Sequence, residues 1–262
     1  MASGEIQGEL WGAKAADWVE AQEPHWRPVY EAVLSEGGVG AGTKLLDIGC
    51  GAGAALVIAR GRGAEVAGLD AAKNLVAVAR SRLPDARIEI GEMEELPFSD
   101  RAFDVVTGFN AFQFAADPVR ALREAGRVCR AGGTVAMLVW GRREDCDLMR
   151  ITVPAVMALM PPPPPGAPQP TALSEPGVIQ RLMEEAGLAP GADGEIGLAF
   201  VYPDAATAIR AISSAGVMVK AVRTVGETAV TDALARALGP FTRADGTVVQ
   251  ENRFRWVLAR PG

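Results

Sequence analysis

The sequence predicts an α/β protein built on a doubly wound, mostly parallel sheet. Between residues 45 and 140 short apolar runs alternate with helical patterns, as strands joined by crossover helices require. The runs are nearly continuous in apolar residues rather than alternating, as expected of strands covered by helices on both faces. The first run also leads through a glycine cluster straight into a helical pattern.

Each element follows from its own punctuation. Residues 45–48 form a brief apolar strand that stops at Gly49, and residues 54–60 read as the helix after it. Residues 65–69 are a second strand ending at Asp70, followed by a helix over 74–82 that Pro84 closes. Strands are predicted at 87–90 and 103–109. Val119, Leu122, Gly126 and Cys129 recur at helical spacing, which predicts a helix over 118–130, stopped by Gly132 and Gly133 before a fifth strand at 134–140. Residues 161–170 hold seven of the eighteen prolines and read as an extended, stiff connector. Ser174 is placed to cap a helix carrying Ile179, Leu182, Met183 and Ala186 on one face, with Gly187 at its end. A sixth strand is expected at 196–202. Residues 204–238 read as two or three helical pieces, with apolar stripes at Ile209 and Ile212 and at Val230, Leu234 and Leu238. At 253–259, Phe254, Trp256 and Leu258 alternate with Arg253 and Arg255, the pattern of an antiparallel strand. The expected organisation is a helical cover over residues 1–40, an α/β core over 41–203 and 247–262, and a helical insertion over 204–246. The insertion serves either as a cap on the substrate side or as a homodimer face, since both bury a stripe.

Charge and cysteine usage narrow the function classes. The net charge of −6 argues against sequence-independent binding of nucleic acid or anionic lipid. Cys50, Cys129 and Cys146 match no metal-ligand spacing, and three cysteines cannot all pair with one another, which points to a reducing, cytoplasmic setting. One histidine, His25, excludes a multi-histidine metal site. Met1 to Leu10 has no signal-like apolar stretch, and no run approaches the ~20 residues that span a bilayer. A soluble protein acting on a small molecule is the expectation.

The glycine turn Leu45-Leu46-Asp47-Ile48-Gly49-Cys50-Gly51-Ala52-Gly53 lets a ligand approach bare backbone. Asp70 ends the next strand 21 residues after Gly49, where a carboxylate can accept from both hydroxyls of a ribose. Gly49-x-Gly51-x-x-Ala54 formally fits a dinucleotide fingerprint. Asp47 argues against a pyrophosphate there, because an extra anion is a poor neighbour for phosphate and a good one for a cationic ligand.

These residues resemble the class I S-adenosylmethionine-dependent methyltransferases, in particular the small-molecule group related to ubiquinone and menaquinone biosynthesis. Over roughly residues 40–140 the likeness runs in order: Asp47, Gly49, Gly51 and Gly53 of the first motif, the ribose acid Asp70, the segment Gly91-Glu92-Met93-Glu94-Glu95-Leu96-Pro97-Phe98, the strand Phe103-Asp104-Val105-Val106, and Arg127-Val128 before Gly132-Gly133. The resemblance implies a seven-stranded sheet with an antiparallel last strand and S-adenosylmethionine as the methyl donor. By the same likeness Glu92 accepts from the adenine amino group, the Met93 backbone meets a ring nitrogen, and Cys50, Ala71 and Phe109 lie beside the donor.

Methyl transfer is an in-line displacement that needs alignment and exclusion of water. A base is needed only when the nucleophile arrives protonated. Where many relatives carry histidine after the fourth strand, this chain reads Asn110-Ala111-Phe112-Gln113-Phe114, and Gln113 cannot take a proton. The catalytic residue is therefore left open, with His25 and Gln113 as candidates. Trp18, Asn110, Gln113 and Tyr202 are candidates for lining the substrate site, and Trp11, Trp18 and Trp26 for covering the donor. A nicotinamide-dependent oxidoreductase is the alternative enzyme, although no Tyr-x-x-x-Lys pair is present. A non-catalytic nucleoside-binding protein is the alternative outside enzymes. Methyl acceptor and oligomeric state stay open.

Overall fold

The computed structural model describes residues 3–162 and 172–262. Most of the proline-rich connector at 161–170 lies outside the described residues. The amino-terminal segment is mostly helical: α1 (Ser3–Gly12), the short α2 (Ala15–Asp17), a wide π-helical turn at Trp18–Gln22, a tight 3-10 turn at Glu23–Trp26, and α3 (Arg27–Glu36). The core then alternates β1 (Lys44–Ile48), α4 (Ala54–Gly61), β2 (Glu65–Asp70), α5 (Lys73–Arg82), β3 (Arg87–Ile90), β4 (Phe103–Phe109), α6 (Pro118–Val128) and β5 (Cys129–Trp140). It continues through α7 (Val153–Met157), α8 (Val178–Glu185), β6 (Leu188–Tyr202), the helices α9 (Ala205–Ser213), α10 (Gly216–Val225) and α11 (Glu227–Leu238), and β7 (Val248–Pro261).

The seven strands form one sheet in the order β3-β2-β1-β4-β5-β7-β6. β1 to β5 are parallel, and β7 runs antiparallel to both β5 and β6. Successive residues of the central strands feed opposite layers. Leu45 and Val105 pack with Leu34, Leu56 and Val76 on the face covered by α3, α4 and α5. Leu46 and Val106 pack with Leu122, Ala125, Ile179 and Met183 on the face covered by α6 and α8. This double burial explains the unbroken apolar runs.

Four boundaries differ from expectation. α6 stops at Val128 and β5 starts at Cys129, with a register shift against β4. Gly133 permits this because a Cβ there would fall 2.6 Å from the Asp104 carbonyl oxygen, an approach only glycine allows. β6 starts at Leu188, eight residues early, because an edge strand tolerates Pro190 at an irregularity and the Trp256 ring covers Gly194. β7 begins at Val248: Gln250 and Asn252 are buried inside it because Thr152 Oγ1 and the Leu148 N–H partner their amides. Ser174 does not cap the helix after it. Its hydroxyl donates to the Trp140 carbonyl at 2.7 Å, and α8 starts after Gly177 in left-handed conformation.

The stripes of α9 and α11 are spent inside the molecule. Ile212, Val230, Leu234 and Leu238 are buried against Phe200, Phe254 and Trp256 of β6 and β7, together with Trp26 and Val33 of the amino-terminal segment. Among the described residues no single helix is long and apolar enough to cross a membrane.

Candidate active site

The carboxyl ends of β1, β2 and β4 meet at the glycine loop. Gly49, Gly51 and Gly53 all adopt positive φ, and Gly53 is the left-handed residue from which α4 starts. The loop is tied to β2 by the N–H groups of Gly49 and Cys50, which donate to the Leu69 carbonyl at 2.7 and 3.0 Å. Asp70 holds it from the side. One carboxylate oxygen accepts from the Gly51 N–H at 2.8 Å and the other from the Ala72 N–H at 2.7 Å. These bonds orient the carboxylate and leave each oxygen a second lone pair for a ligand. A Cβ on Gly51 would meet nothing within 4 Å, so this peptide borders open space.

Asp47 lies under the loop, 2 % exposed, and accepts from the Thr107 hydroxyl at 2.7 Å. Burial pushes its carboxyl up to about 7 against the Thr107 hydrogen bond, and the charge of Asp70 adds to the rise. Asp70 is likewise raised by burial, against the backbone N–H groups of Ala72 and Gly51. Two carboxylates held together in poor solvation make a place that favours a cation and disfavours a phosphate. Cys50 is buried beside them and its thiol is pushed well up by burial, so it packs rather than attacks.

The segment after β3 carries Glu92 and Met93. Met93 packs on the Leu46 side of the core, and the Glu92 carboxylate accepts from the Gly4 N–H at 3.0 Å. Arg127 of α6 fastens the rest of the segment. It donates to the carbonyls of Phe98 and Leu96 at 2.9 and 3.0 Å and pairs with Asp100 and Glu124. Glu124 in turn accepts the Leu96 N–H at 2.9 Å. The positive charge in the motif is thus a clamp for the loop.

The amino-terminal segment closes over these loops. α1 turns Gly4, Gly8 and Gly12 towards them: a Cβ on Gly4 would fall 2.3 Å from Glu92 Oε2, and one on Gly8 2.3 Å from the Ala71 carbonyl oxygen. Trp11 stands edge-on to Trp18 at 5.2 Å and to Phe114 at 5.5 Å. Trp18 packs against both the small cluster of Ala52, Ala72 and Leu75 at the loops and the larger apolar cluster under α9 and α11. Trp26 is buried in that cluster between Trp140 and Phe254, away from the loops. The anchor of the segment is Glu23, which the sequence reading missed. It is buried, accepts the Ala54 N–H at the start of α4, and pairs with Arg82 at 2.7 Å, while Arg82 also donates to the Ala52 carbonyl. A carboxylate at a helix start is favourably placed against the helix dipole.

Two candidates fall elsewhere. The His25 ring bonds the Val201 carbonyl at 2.9 Å and packs on Phe200 and Tyr202, which places it on edge strand β6 at the far side of β5 and β7 from the glycine loop. Tyr202 is fully buried and its hydroxyl donates to Gln22 at 2.8 Å, so it is packed in the core rather than at the exposed end of β6. Asn110 and Gln113 are brought together at the end of β4, with Gln113 Nε2 donating to Asn110 Oδ1 at 3.3 Å. Phe109, just before them, stands edge-on to Tyr30 at 4.8 Å.

Residues 46–137 match the family described as "Methyltransferase domain". Over 123 residues the chain is 35% identical to malonyl-acyl-carrier-protein O-methyltransferase of Serratia marcescens, covering 47% of this chain and 48% of that protein. It is 36% identical over 123 residues to demethylmenaquinone methyltransferase of Staphylococcus aureus, covering 45% of this chain and 50% of that one. The chain thus spans about half the length of these curated relatives. Among solved structures it resembles a putative methyltransferase of Haloferax volcanii, determined with the Trm112 methyltransferase activator, at TM-score 0.60 and 22% identity over 96% of this chain and 98% of that one. A putative methyltransferase of Bacillus halodurans superposes at TM-score 0.58 and 16% identity, over 89% and 99%. A 4+2 cyclase does so at TM-score 0.57 and 19% identity, over 89% and 80%. The fold is therefore the Rossmann-like methyltransferase fold, and residues 46–137 carry the resemblance to class I methyltransferases related to quinone biosynthesis. The cyclase shows that this fold alone does not fix the reaction.

Proposed function

We propose that the chain is an S-adenosylmethionine-dependent methyltransferase acting on a small-molecule acceptor in the cytoplasm. The observation that supports it most is Asp47, a buried carboxylate raised to about 7 that pairs with no cationic side chain among the described residues, next to Asp70. A ligand carrying a sulfonium and an ammonium group meets that need, whereas the pyrophosphate of a nicotinamide cofactor aggravates it. In this reading the open backbone at Gly51 takes the amino-acid part of the donor, Asp70 takes the ribose, and Glu92 with the Met93 backbone takes the adenine. Cys50, Ala71 and Phe109 flank it, and residues 1–40 form its cover.

When bound there, the donor would supply an electrophilic methyl carbon and a thioether leaving group, and an acceptor that carries a proton would shed it to water before the site closes. The protein's part is alignment and exclusion of water. Trp11, Trp18 and Phe114 close the site against solvent, and the Glu23–Arg82 pair holds the cover to the glycine loop. The one histidine stands at β6, and Asp47, though held at about 7, is buried under the glycine loop on the Thr107 hydroxyl, so in this reading the acceptor is a nucleophile that loses its proton readily or carries none. Helices over 204–246 complete the wall on the substrate side. Calorimetric titration with S-adenosylmethionine, S-adenosylhomocysteine and NAD tests the assignment. The first two are expected to bind and NAD not to bind; micromolar NAD binding without donor binding overturns it.

A further inference from the structure

Asn110 and Gln113 form a small polar site of their own. Asn110 follows β4 with φ of 49°, a left-handed conformation that asparagine tolerates better than most residues but that still stores strain. Its neighbour Ala111 packs against the glycine loop, since a Cβ on Gly49 would fall 2.5 Å from Ala111 Cβ. The two amides share one hydrogen bond, Gln113 Nε2 to Asn110 Oδ1. Asn110 Nδ2 and Gln113 Oε1 are then buried with no partner. A buried polar atom without a partner is costly, so two of them in neighbouring amides call for one. Exchanging nitrogen and oxygen in both amides keeps the shared bond and again leaves one free donor and one free acceptor, so the pattern does not depend on how the amides are assigned.

We propose that the Asn110–Gln113 pair is an acceptor-recognition site for a neutral planar group that displays a carbonyl beside an N–H or O–H, as in a carboxamide, a lactam or an enolised 1,3-diketone. The pair presents one donor and one acceptor together, and such a group answers both. A carboxylate accepts only and would set an oxygen against the free amide oxygen. An ammonium donates only and would leave the free amide N–H without a partner. The apolar neighbours Phe109 and Phe114 flank the pair in sequence, and Trp11 lies over Phe114, which suits a flat ring rather than a hydrated chain. That the bound group is the methyl acceptor rests on the methyltransferase reading; that the pair recognises it does not.

The test is a ligand-observed NMR titration of the full chain with four probes: 2-naphthamide, 2-quinolone, 2-naphthoate and 2-naphthylmethylammonium. Each is run with and without saturating S-adenosylhomocysteine, on wild type, Gln113→Leu and Asn110→Gly, the last because glycine keeps the positive φ. The amide and lactam are expected to bind at least tenfold tighter than the carboxylate and the ammonium, and each substitution is expected to shrink that preference below threefold while the melting temperature stays near wild type. Equal binding of all four probes, binding of none, or a preference that survives both substitutions overturns the proposal. A preference that persists while S-adenosylhomocysteine fails to bind leaves the amide site standing and refutes the methyltransferase reading instead.

Discussion

Asp47→Asn separates the electrostatic argument from the rest of the site. The carboxyl is held at about 7 in the folded chain and sits at 3.8 when unperturbed. A raised carboxyl stabilises the fold most below its unfolded value and loses that contribution as pH rises through the folded one. From proton linkage, this single group costs the ligand-free wild type ~2.5 kcal/mol of stability between pH 5 and pH 8. Asparagine keeps the acceptor for the Thr107 hydroxyl but brings an N–H pair that needs a partner, a cost of ~1–3 kcal/mol that does not change with pH. The difference between variant and wild type should therefore move by ~2.5 kcal/mol in favour of the variant from pH 5 to pH 8, or roughly 5–10 °C in melting temperature. Unfolding without ligand, by heat and by urea at both pH values, measures it. A difference that is the same at pH 5 and pH 8 would refute the reasoning. If the proposed site holds S-adenosylmethionine through the ionised Asp47 carboxylate, wild-type affinity should rise with pH through about 7 and the rise should be smaller in the variant.

Asp70→Ala is expected to lower S-adenosylmethionine affinity by ~2–3 kcal/mol in calorimetry. It should also lower the melting temperature of the free protein, because the N–H groups of Gly51 and Ala72 lose their acceptor. Glu23→Ala leaves Arg82 without its partner and the start of α4 uncapped, so a loss of ~2–3 kcal/mol in urea unfolding is expected, less than for a fully buried pair because Arg82 is partly exposed. His25→Ala should keep activity within ~10-fold, well short of the loss of a general base, since the ring serves β6; a thousandfold loss with intact donor binding would make it catalytic. Gly8→Val drives a side chain into the Ala71 carbonyl, so faster proteolysis of the first dozen residues and weaker binding of S-adenosylhomocysteine are expected; wild-type behaviour in both would show that α1 is no cover.

The alternation of strand and helix, the glycine loop and the acids Asp47 and Asp70 are legible in the sequence because each is a local signal, whereas Glu92 stands out only through the family resemblance. Strand runs, turn glycines and strand-end carboxylates are set by residues that are neighbours along the chain. The same holds for the antiparallel β7, whose alternation of Phe254 and Trp256 with Arg253 and Arg255 is visible in a short stretch. Tertiary structure decided what depends on distant partners. β6 and β7 extend beyond their readable cores because pairing with each other overrides the breakers Pro190 and Gly194 and the polar Gln250 and Asn252. Tyr202 reads as a reachable strand end and is buried because Gln22, 180 residues away, takes its hydroxyl. Glu23 looks like one acid among many until Arg82 and Ala54 come to it, and the glycines of α1 gain a meaning only when Glu92 and Ala71 stand against them. Periodicity and turn chemistry act over a few residues and are written in order. Burial, pKa and the pairing of buried polar groups are set by whichever segments the fold brings together, and no local pattern in one of them names the other.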